Sequence, residues 1–231
     1  MVTKPFRFQA EDLERIEALN GKVLLAWPMG LGKTLAALLY LTRHPASRPA
    51  VVICPASLKY QWAQQAAHHV GLRAEVLEGT RPPTKGMSRR APLLILNYDI
   101  LGRRRSDKGG PGWLGYLKER EPQVGIIDES HMLSSRGALR TRSTRELCRG
   151  VPHVLALSGT PLTNRPADLW PTLNILRPDL YPSFYSFAAQ HCNPRRTPWG
   201  FDYSGAAKLD ILHKRLLQHC MVRRRKEDVL D

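Results

Sequence analysis

The segment VLLAWPMGLGKT, residues 23–34, joins a short apolar run to a glycine-rich turn that ends in Lys33 and Thr34. A turn of this kind between a strand and a helix aims backbone N–H groups at phosphate oxygens. Gly30 and Gly32 permit the tight turn. Lys33 would reach the β- and γ-phosphates, and Thr34 would place its hydroxyl on Mg²⁺. The pattern therefore predicts a nucleoside triphosphate site.

A second candidate element follows the apolar run Val124–Ile127, where Asp128 and Glu129 form an acidic pair. Such a pair at the end of a buried strand supplies the groups that Mg²⁺-assisted hydrolysis requires. Asp128 would hold the metal, directly or through water, and Glu129 would orient and deprotonate the attacking water. An isolated Asp-Glu often only caps a strand and faces solvent. The Lys33-Thr34 turn upstream disfavours that alternative.

A third element follows the strand candidate Val154–Leu157, which ends in Ser158, Gly159 and Thr160. Small hydroxyl residues at the carboxyl end of a strand can bond a carboxylate of the nucleotide site. They can also bond a neighbouring strand of nucleic acid. The three elements together predict a nucleotide site that communicates with a nucleic acid.

The charge balance points to the same partner. The chain has 231 residues, with 35 Lys and Arg against 20 Asp and Glu, so its formal net charge is +15. Such an excess attracts polyanions and makes binding sensitive to salt, which favours nucleic acid over a merely solubilising surface. Basic runs include Arg103, Arg104 and Arg105, and each run is either a DNA contact or a solvated loop. No base-reading pattern is present, so we expect sequence-independent contacts.

The hydrophobic pattern predicts an α/β fold with a parallel sheet covered by helices on both faces. Strands are predicted near 23–27, 51–54, 74–77, 93–96, 124–127 and 154–157, and helices over 8–20, 33–43, 57–69, 113–120, 141–148 and 166–175. From about Pro178 the pattern changes, and a helix is predicted over 209–222. We therefore expect a nucleotide-binding unit over residues 1–177 and a helical protrusion over 178–231.

Ordered blocks of this sequence resemble the Swi/Snf-related group of superfamily 2 helicase-like ATPases. The TPWGFDYSG stretch is particularly similar to the annealing-helicase or fork-remodelling branch. The similar blocks are MGLGKT (29–34), VVICPASLKYQW (51–62), LLILNYDIL (93–101), IIDESH (126–131), LALSGTPLTNRPADLW (155–170), TPWGFDYSGAAKLDILHKRL (197–216) and MVRRRKEDVL (221–230). The resemblance covers almost the whole chain and implies a RecA-like lobe.

The resemblance also implies roles for individual residues. Met29 to Thr34 would bind ATP and Mg²⁺, and Gln9 sits where the family keeps an adenine-reading glutamine. His131, Ser158 and Thr160 correspond to residues that couple the nucleotide site to the DNA site. The helix after Pro55 would receive a DNA backbone phosphate at its N-terminus, through Ser57, Leu58 and Lys59.

Motors of this family close two RecA-like lobes on ATP, and the resemblance implies that this chain corresponds to the first lobe. The second lobe brings arginine fingers that are worth about 10³ to 10⁵ in rate. We therefore expect a double-stranded-DNA translocase lobe that turns ATP over slowly by itself. One alternative is a nucleic-acid-binding module that no longer takes ATP, since Trp27 stands where the strict phosphate-loop pattern has glycine. Another is a partner-dependent regulatory lobe.

The lengths of the apolar stretches and the spacing of the cysteines bear on compartment and on metal binding. No stretch approaches the roughly eighteen apolar residues of a membrane span, and the N-terminus lacks a signal-like core, so a cytoplasmic or, in a eukaryote, nuclear protein is expected. The four cysteines form no C-x-x-C pair, and buried thiols are predicted. His191-Cys192 and His219-Cys220 offer a possible zinc set, which their spacing disfavours.

Overall fold

The computed structural model describes residues 2–45, 49–82, 91–102, 112–159 and 165–229. A seven-stranded sheet and a separate two-stranded hairpin organise this part of the chain. The strands are β1 (Lys22–Ala26), β2 (Ala50–Cys54), β3 (Ala74–Val76), β4 (Leu93–Asn97), β5 (Val124–Ile127), β6 (His153–Ser158), β7 (Arg195–Thr197), β8 (Gly200–Asp202) and β9 (Met221–Arg223). The large sheet has the order β3-β4-β2-β5-β6-β1-β9, and all of its described strand pairs are parallel.

Helices cover both faces of the sheet. They are α1 (Arg7–Ala18), α2 (Lys33–Arg43), α3 (Lys59–Val70), α4 (Tyr98–Gly102), α5 (Trp113–Lys118), α6 (Leu139–Cys148), α7 (Pro166–Leu176), α8 (Phe184–His191) and α9 (Leu209–His219). The first three pack in one buried cluster with one side of the strands, and the remaining helices pack in a second cluster with the other side. The predicted α/β class with a doubly covered parallel sheet is confirmed.

The sheet forms because its central strands are short, apolar and buried on both faces, whereas the edge strand β3 is only partly buried. Along β1, Val23 and Leu25 point into the α1–α3 cluster, whereas Leu24 and Ala26 point into the other. This alternation is the two-residue period of an extended chain. Since β1 is apolar on both sides, it sits inside the sheet, between β6 and β9.

The end of the chain differs from the prediction. The helix predicted over 209–222 is wrong beyond His219, because Met221–Arg223 forms β9 and pairs in parallel with β1. Leu212, Leu216 and Cys220 are spaced by four and are all fully buried, so the helical period continues past the real end of the helix. Part of the predicted protrusion thus belongs to the sheet, while a division at residue 177 stays a prediction.

Candidate nucleotide site

The strand order places three predicted elements side by side. β6 lies between β1 and β5, with Ala26 opposite Ser158 and Ile127 opposite Ala156. The glycine-rich turn follows β1, Ser158 closes β6, and Asp128 follows β5. Because the strands are parallel, these residues meet at the carboxyl edge of the sheet, which is where α/β proteins bind ligands.

A cleft of about 480 Å³ opens at this edge. It brings together the predicted lysine, threonine and acidic residues, and one wall comes from the face of α3 and the turn before it. The lining residues are Met29, Gly30, Gly32, Lys33, Thr34, Leu35, Leu58, Gln61, Trp62, Gln65, His69, Asp128 and Glu129. Of the predicted loop residues, Met29 is exposed at the rim, whereas Leu31 is buried in the α1–α3 cluster.

Two glycines shape the turn after β1. Gly30 and Gly32 have φ angles of 91° and 74°, in the left-handed region that side chains disfavour. Gly32 also caps α2, and a Cβ there would lie 2.6 Å from Nε2 of Gln9. The turn therefore needs glycine at residue 32 for its backbone and for its contact with α1.

Lys33 faces the acidic pair across the cleft. Its ammonium donates hydrogen bonds to the carbonyl oxygens of Trp27, at 2.8 Å, and Pro28, at 3.3 Å. Burial lowers the pKa of Lys33, and the nearby Glu129 and Asp128 carboxylates act in the opposite direction. The cation and both acids thus interact electrostatically within one cleft, as the sequence predicted from two distant segments.

Asp128 is held by donors on both carboxylate oxygens. The indole Nε1 of Trp62 donates to Oδ2 at 2.8 Å, and the backbone N–H of Glu129 donates to Oδ1 at 3.0 Å. The Tyr98 hydroxyl donates to the backbone oxygen of Asp128 at 2.5 Å. Burial raises the pKa of Asp128, and the Trp62 donor partly offsets that rise. These bonds fix the direction in which the carboxylate meets the cleft.

Sequence reasoning gave Trp62 no role of its own. The residue closes the VVICPASLKYQW block, and its ring is fully buried on α3. The available signal was an indole donor in a block beside a predicted nucleotide site, because a buried Trp N–H usually finds a partner.

Glu129 adopts an unusual backbone conformation. Its φ angle is 50°, in the left-handed region, and it caps the 3₁₀ turn Ser130–Leu133. Its Oε2 lies 3.2 Å from Nδ1 of His131, whose side chain is half exposed. Left-handed backbone costs roughly 1–2 kcal/mol for a residue with a side chain. The strained turn sets Glu129 beside both the cleft and the predicted coupling histidine.

Gln9, on α1, contacts the glycine-rich turn through its side-chain amide. Its Nε2 donates to the carbonyl of Leu31 at 3.1 Å, and its Oε1 accepts from the backbone N–H of Phe6 at 3.0 Å. The side chain is buried. The Nε2 end of the amide therefore supports the glycine-rich turn, whereas the Oε1 end caps the start of α1. The predicted adenine contact stays a prediction.

Trp27 points away from the cleft. Its ring is fully buried with the α1–α3 cluster and packs edge-on against Phe8, with centroids 5.5 Å apart. Its carbonyl accepts from Lys33. The departure from the strict glycine pattern is thus accommodated in the core, and it does not fill the cleft.

The predicted DNA-contact helix begins later than expected, with a 3₁₀ turn over Ala56–Leu58 and α3 from Lys59. Ser57 is exposed, and Leu58 lines the cleft. The Lys59 side chain is buried, and its ammonium donates to the carbonyl of Leu77 at 3.2 Å, with Glu78 at 3.6 Å. The Lys59 ammonium therefore has a structural role, and a DNA contact by this turn stays a prediction.

Of the remaining predicted site residues, the structure describes only some. Ser158 is buried at the end of β6, and a Cβ on the next residue, Gly159, would lie 3.8 Å from the Lys33 ammonium. Gly159 was not singled out from the sequence, yet it brings β6 against the glycine-rich turn. Thr160, Arg103, Arg104 and Arg105 lie outside the described residues.

The cysteines are free and buried, as predicted. Burial raises the pKa of Cys54 to about 12, which makes its thiol inert. Among the residues that the structure describes, no group of three or more His, Cys, Asp or Glu could hold a metal ion. In the same residues, no helix has the length and apolar content that a membrane crossing requires.

The sheet order and the position of the cleft define the class of RecA-like α/β lobes. Within that class, the chain belongs to the SNF2-related domain family, whose pattern matches residues 13–231. The archaeal SWI2/SNF2 ATPase core from Sulfolobus solfataricus, solved in complex with dsDNA, has the same fold. The TM-score is 0.79 at 22% identity, over 100% of this chain and 48% of that one.

Curated relatives extend the comparison. The chain is 32% identical over 230 residues to the SWI/SNF-related matrix-associated actin-dependent regulator of chromatin subfamily A-like protein 1 of Xenopus tropicalis. It is 28% identical over 231 residues to the DNA annealing helicase and endonuclease ZRANB3 of Bos taurus. In both cases 96% of this chain is covered, but the chain spans only 23% and 21% of the relatives' lengths.

Proposed function

We propose that this chain is the ATP-binding first lobe of a DNA-dependent ATPase that translocates on double-stranded DNA. The observation that carries the proposal is the convergence of Lys33, Asp128 and Glu129 on one cleft at the carboxyl edge of the sheet. Membership of the SNF2-related family and the fold shared with an archaeal ATPase core support it.

The residues present fit a magnesium-bound triphosphate. The turn carries no side chain at Gly30, where a Cβ would meet nothing within 4 Å, so phosphates can approach the backbone. The first turn of α2 adds N–H groups that have no partner within the helix. Thr34 and Asp128 are hard oxygen ligands of the kind that Mg²⁺ prefers. Bound magnesium would neutralise charge on the phosphates.

Each residue then has a distinct role. Lys33 would exchange its bonds to the Trp27 and Pro28 carbonyls for phosphate oxygens. Asp128, kept ionised in part by the Trp62 indole, would hold its carboxylate toward the metal. Glu129 would accept the proton of the attacking water. His131 lies beside this carboxylate, with Nδ1 3.2 Å from Oε2.

A second lobe and DNA would complete the activity. The curated relatives are four to five times longer than this chain, and the archaeal core is about twice as long, so a second lobe has room elsewhere in such proteins. We infer that this lobe supplies arginine fingers, and that the isolated chain binds nucleotide but hydrolyses it slowly. The net charge of +15 suits backbone contacts to DNA.

Titration of the chain with fluorescent Mg-ATP, with and without duplex DNA, tests the proposal. We expect saturable binding that Lys33→Ala weakens at least tenfold, because a charged phosphate contact is lost. Lys118→Ala, which removes an equal charge from an exposed pair with Glu146, should bind like the wild type. An absence of binding at millimolar nucleotide, or equal affinity in Lys33→Ala, would contradict the nucleotide role.

The titration with duplex DNA tests the DNA part of the proposal, independently of nucleotide binding. Duplex affinity should fall steeply as the salt concentration rises, because phosphate contacts release counterions. A flat salt response would mean that the basic excess lies away from the DNA path.

A further inference from the structure

The hairpin of β7 and β8 presents aromatic rings to solvent. Arg195 pairs with Asp202 and Arg196 with Phe201, and Pro198 and Trp199 form the connecting turn. Trp199 is 96% exposed and Phe201 is 60% exposed. The other four tryptophans of the chain are buried, so the exposure of Trp199 is exceptional within this molecule.

The turn is built to keep Trp199 outward. Pro198 fixes its own φ angle, and the Thr197 hydroxyl donates to the carbonyl of Gly200 at 2.9 Å across the turn. Gly200 has a φ angle of 125°, which a residue with a side chain rarely adopts. The turn is therefore defined by its own residues, and no core contact is needed to hold the indole in place.

A ladder of rings anchors the hairpin to the core. Phe201 lies 6.2 Å from Tyr203, which in turn lies 5.1 Å from Phe184 between ring centroids. Phe184 packs edge-on against the buried Trp170 at 5.5 Å. The exposed rings thus stand on a packed base.

Arginines surround these rings. The Arg136 guanidinium lies 3.9 Å from the Phe184 ring centroid and 5.2 Å from that of the exposed Tyr185. Arg195 and Arg196 are exposed on the hairpin itself. The facing carboxylate, Asp202, accepts from the backbone N–H and the hydroxyl of Ser204, both at 2.9 Å, and it offsets part of the charge of Arg195. The surface is therefore aromatic and positively charged.

We propose that this aromatic hairpin binds unpaired nucleobases, with Trp199 and Phe201 stacking on bases and Arg195 and Arg196 contacting phosphates. The proposal rests on the DNA binding proposed above and narrows it to single-stranded segments at this surface. Sites for single strands combine exposed rings with cationic groups in this way. Bases in a duplex are already stacked on each other, so their faces are not accessible to an exposed indole.

Intrinsic fluorescence gives a direct test on the whole chain. Since Trp199 is the exposed tryptophan, its emission should be accessible to quenchers, and oligothymidine should quench it by stacking. An abasic oligonucleotide of the same length has the same phosphates but no bases, and it should bind more weakly without quenching. Equal quenching by both strands would overturn the proposal, because it would report charge contact alone.

Affinity measurements separate the rings from the charge. Trp199→Ala should weaken oligothymidine binding by about 5- to 150-fold, the range for loss of one stacked base. Trp199→Phe should restore much of that loss. Duplex affinity should change less than about twofold. Ile211→Ala, which trims a 53% exposed apolar side chain on α9, is the matched control and should bind like the wild type.

Other outcomes also refute the inference. Equal losses on single-stranded and duplex DNA would assign the hairpin to a duplex contact. Unchanged oligothymidine binding in Trp199→Ala would mean that the rings do not stack on bases, and would favour a protein partner. If duplex and Mg-ATP bind as proposed while single strands do not, only this inference fails; if the chain binds no DNA at all, the proposed function fails first.

Discussion

The nucleotide cleft and the aromatic hairpin arrange functional groups in opposite ways. In the cleft, Asp128 is buried and receives hydrogen bonds from Trp62 and from the Glu129 backbone. In the hairpin, Trp199 is almost fully exposed, and the hydrogen bond that defines its turn joins Thr197 and Gly200 on either side of it.

The contrast follows from the chemistry that each region would perform. Metal and phosphate chemistry requires fixed directions between the reacting groups. The cleft therefore orients its side chains with hydrogen bonds whose loss lowers the stability of the fold. Stacking on a base tolerates many orientations because every base has a π-face. A hairpin can therefore leave its rings in solvent with little packing to orient them.

The largest expected effect concerns Glu129. In a chain completed by a second lobe, Glu129→Gln should keep ATP binding and lower turnover by about 10²- to 10⁴-fold, the usual range for loss of a general base. The comparison of bound nucleotide with steady-state hydrolysis checks this, and Glu146→Gln on α6 is the matched control. Substantial residual hydrolysis would remove Glu129 from the role of base.

Trp62→Phe should have the next largest effect. It keeps most of the ring but removes the donor to a buried carboxylate, which should lower the free energy of unfolding by about 1.5–3 kcal/mol at neutral pH. Trp113→Phe is the control, because its indole donates to the neutral carbonyl of Gly79 at 3.0 Å. Trp113→Phe should lower the free energy of unfolding by only about 1 kcal/mol. Urea unfolding of both variants gives the comparison.

The two tryptophan variants should also differ in pH dependence. Burial already raises the pKa of Asp128, and loss of the Trp62 donor raises it further. As the pH falls toward that pKa, folded Asp128 takes up a proton and the lost bond matters less. The deficit of Trp62→Phe should therefore shrink on acidification, whereas that of Trp113→Phe should stay constant. Parallel curves would show that Asp128 is not the affected group.

A smaller effect is expected at the glycine-rich turn. Gly30→Ala and Gly32→Ala both place a side chain at positive φ, which costs roughly 1–2 kcal/mol each. Only the Gly32 Cβ would meet Gln9, at 2.6 Å. Gly32→Ala should therefore lose more stability and more ATP affinity than Gly30→Ala. In a Gln9→Ala background the extra loss should disappear, and its persistence would contradict the Gln9 contact.

The local parts of the cleft could be predicted from the sequence, because each is a short signal. Gly32, Lys33 and Thr34 come within a few residues of an apolar run, and Asp128 and Glu129 follow one directly. Trp62 could not be assigned, since it is 66 residues from Asp128 and nothing local pairs them. The bond from the Lys59 ammonium to the carbonyl of Leu77 could not be predicted either, because only the tertiary fold brings Leu77 near, and the DNA contact predicted for this turn stays a prediction.

The fold could be predicted wherever the hydrophobic period was unambiguous. Strands β1 to β6 were all predicted. All of them except the edge strand β3, which contains Glu75, are largely apolar runs. Strand β9 was missed because the spacing of Leu212, Leu216 and Cys220 continues the helical pattern. Its partner, β1, lies near the other end of the chain, so pairing supplies a stabilisation that no local window contains.

The smallest expected effect separates the two regions most sharply. Because Trp199 is 96% exposed, Trp199→Ala should change the free energy of unfolding by less than about 0.5 kcal/mol, as for surface substitutions in general. Phe184→Ala, at the buried base of the same ring ladder, should cost about 3–5 kcal/mol. Urea unfolding of both variants measures the difference. A large loss in Trp199→Ala would mean that its indole stabilises the fold, and any fall in oligothymidine affinity would then reflect unfolding and not lost stacking.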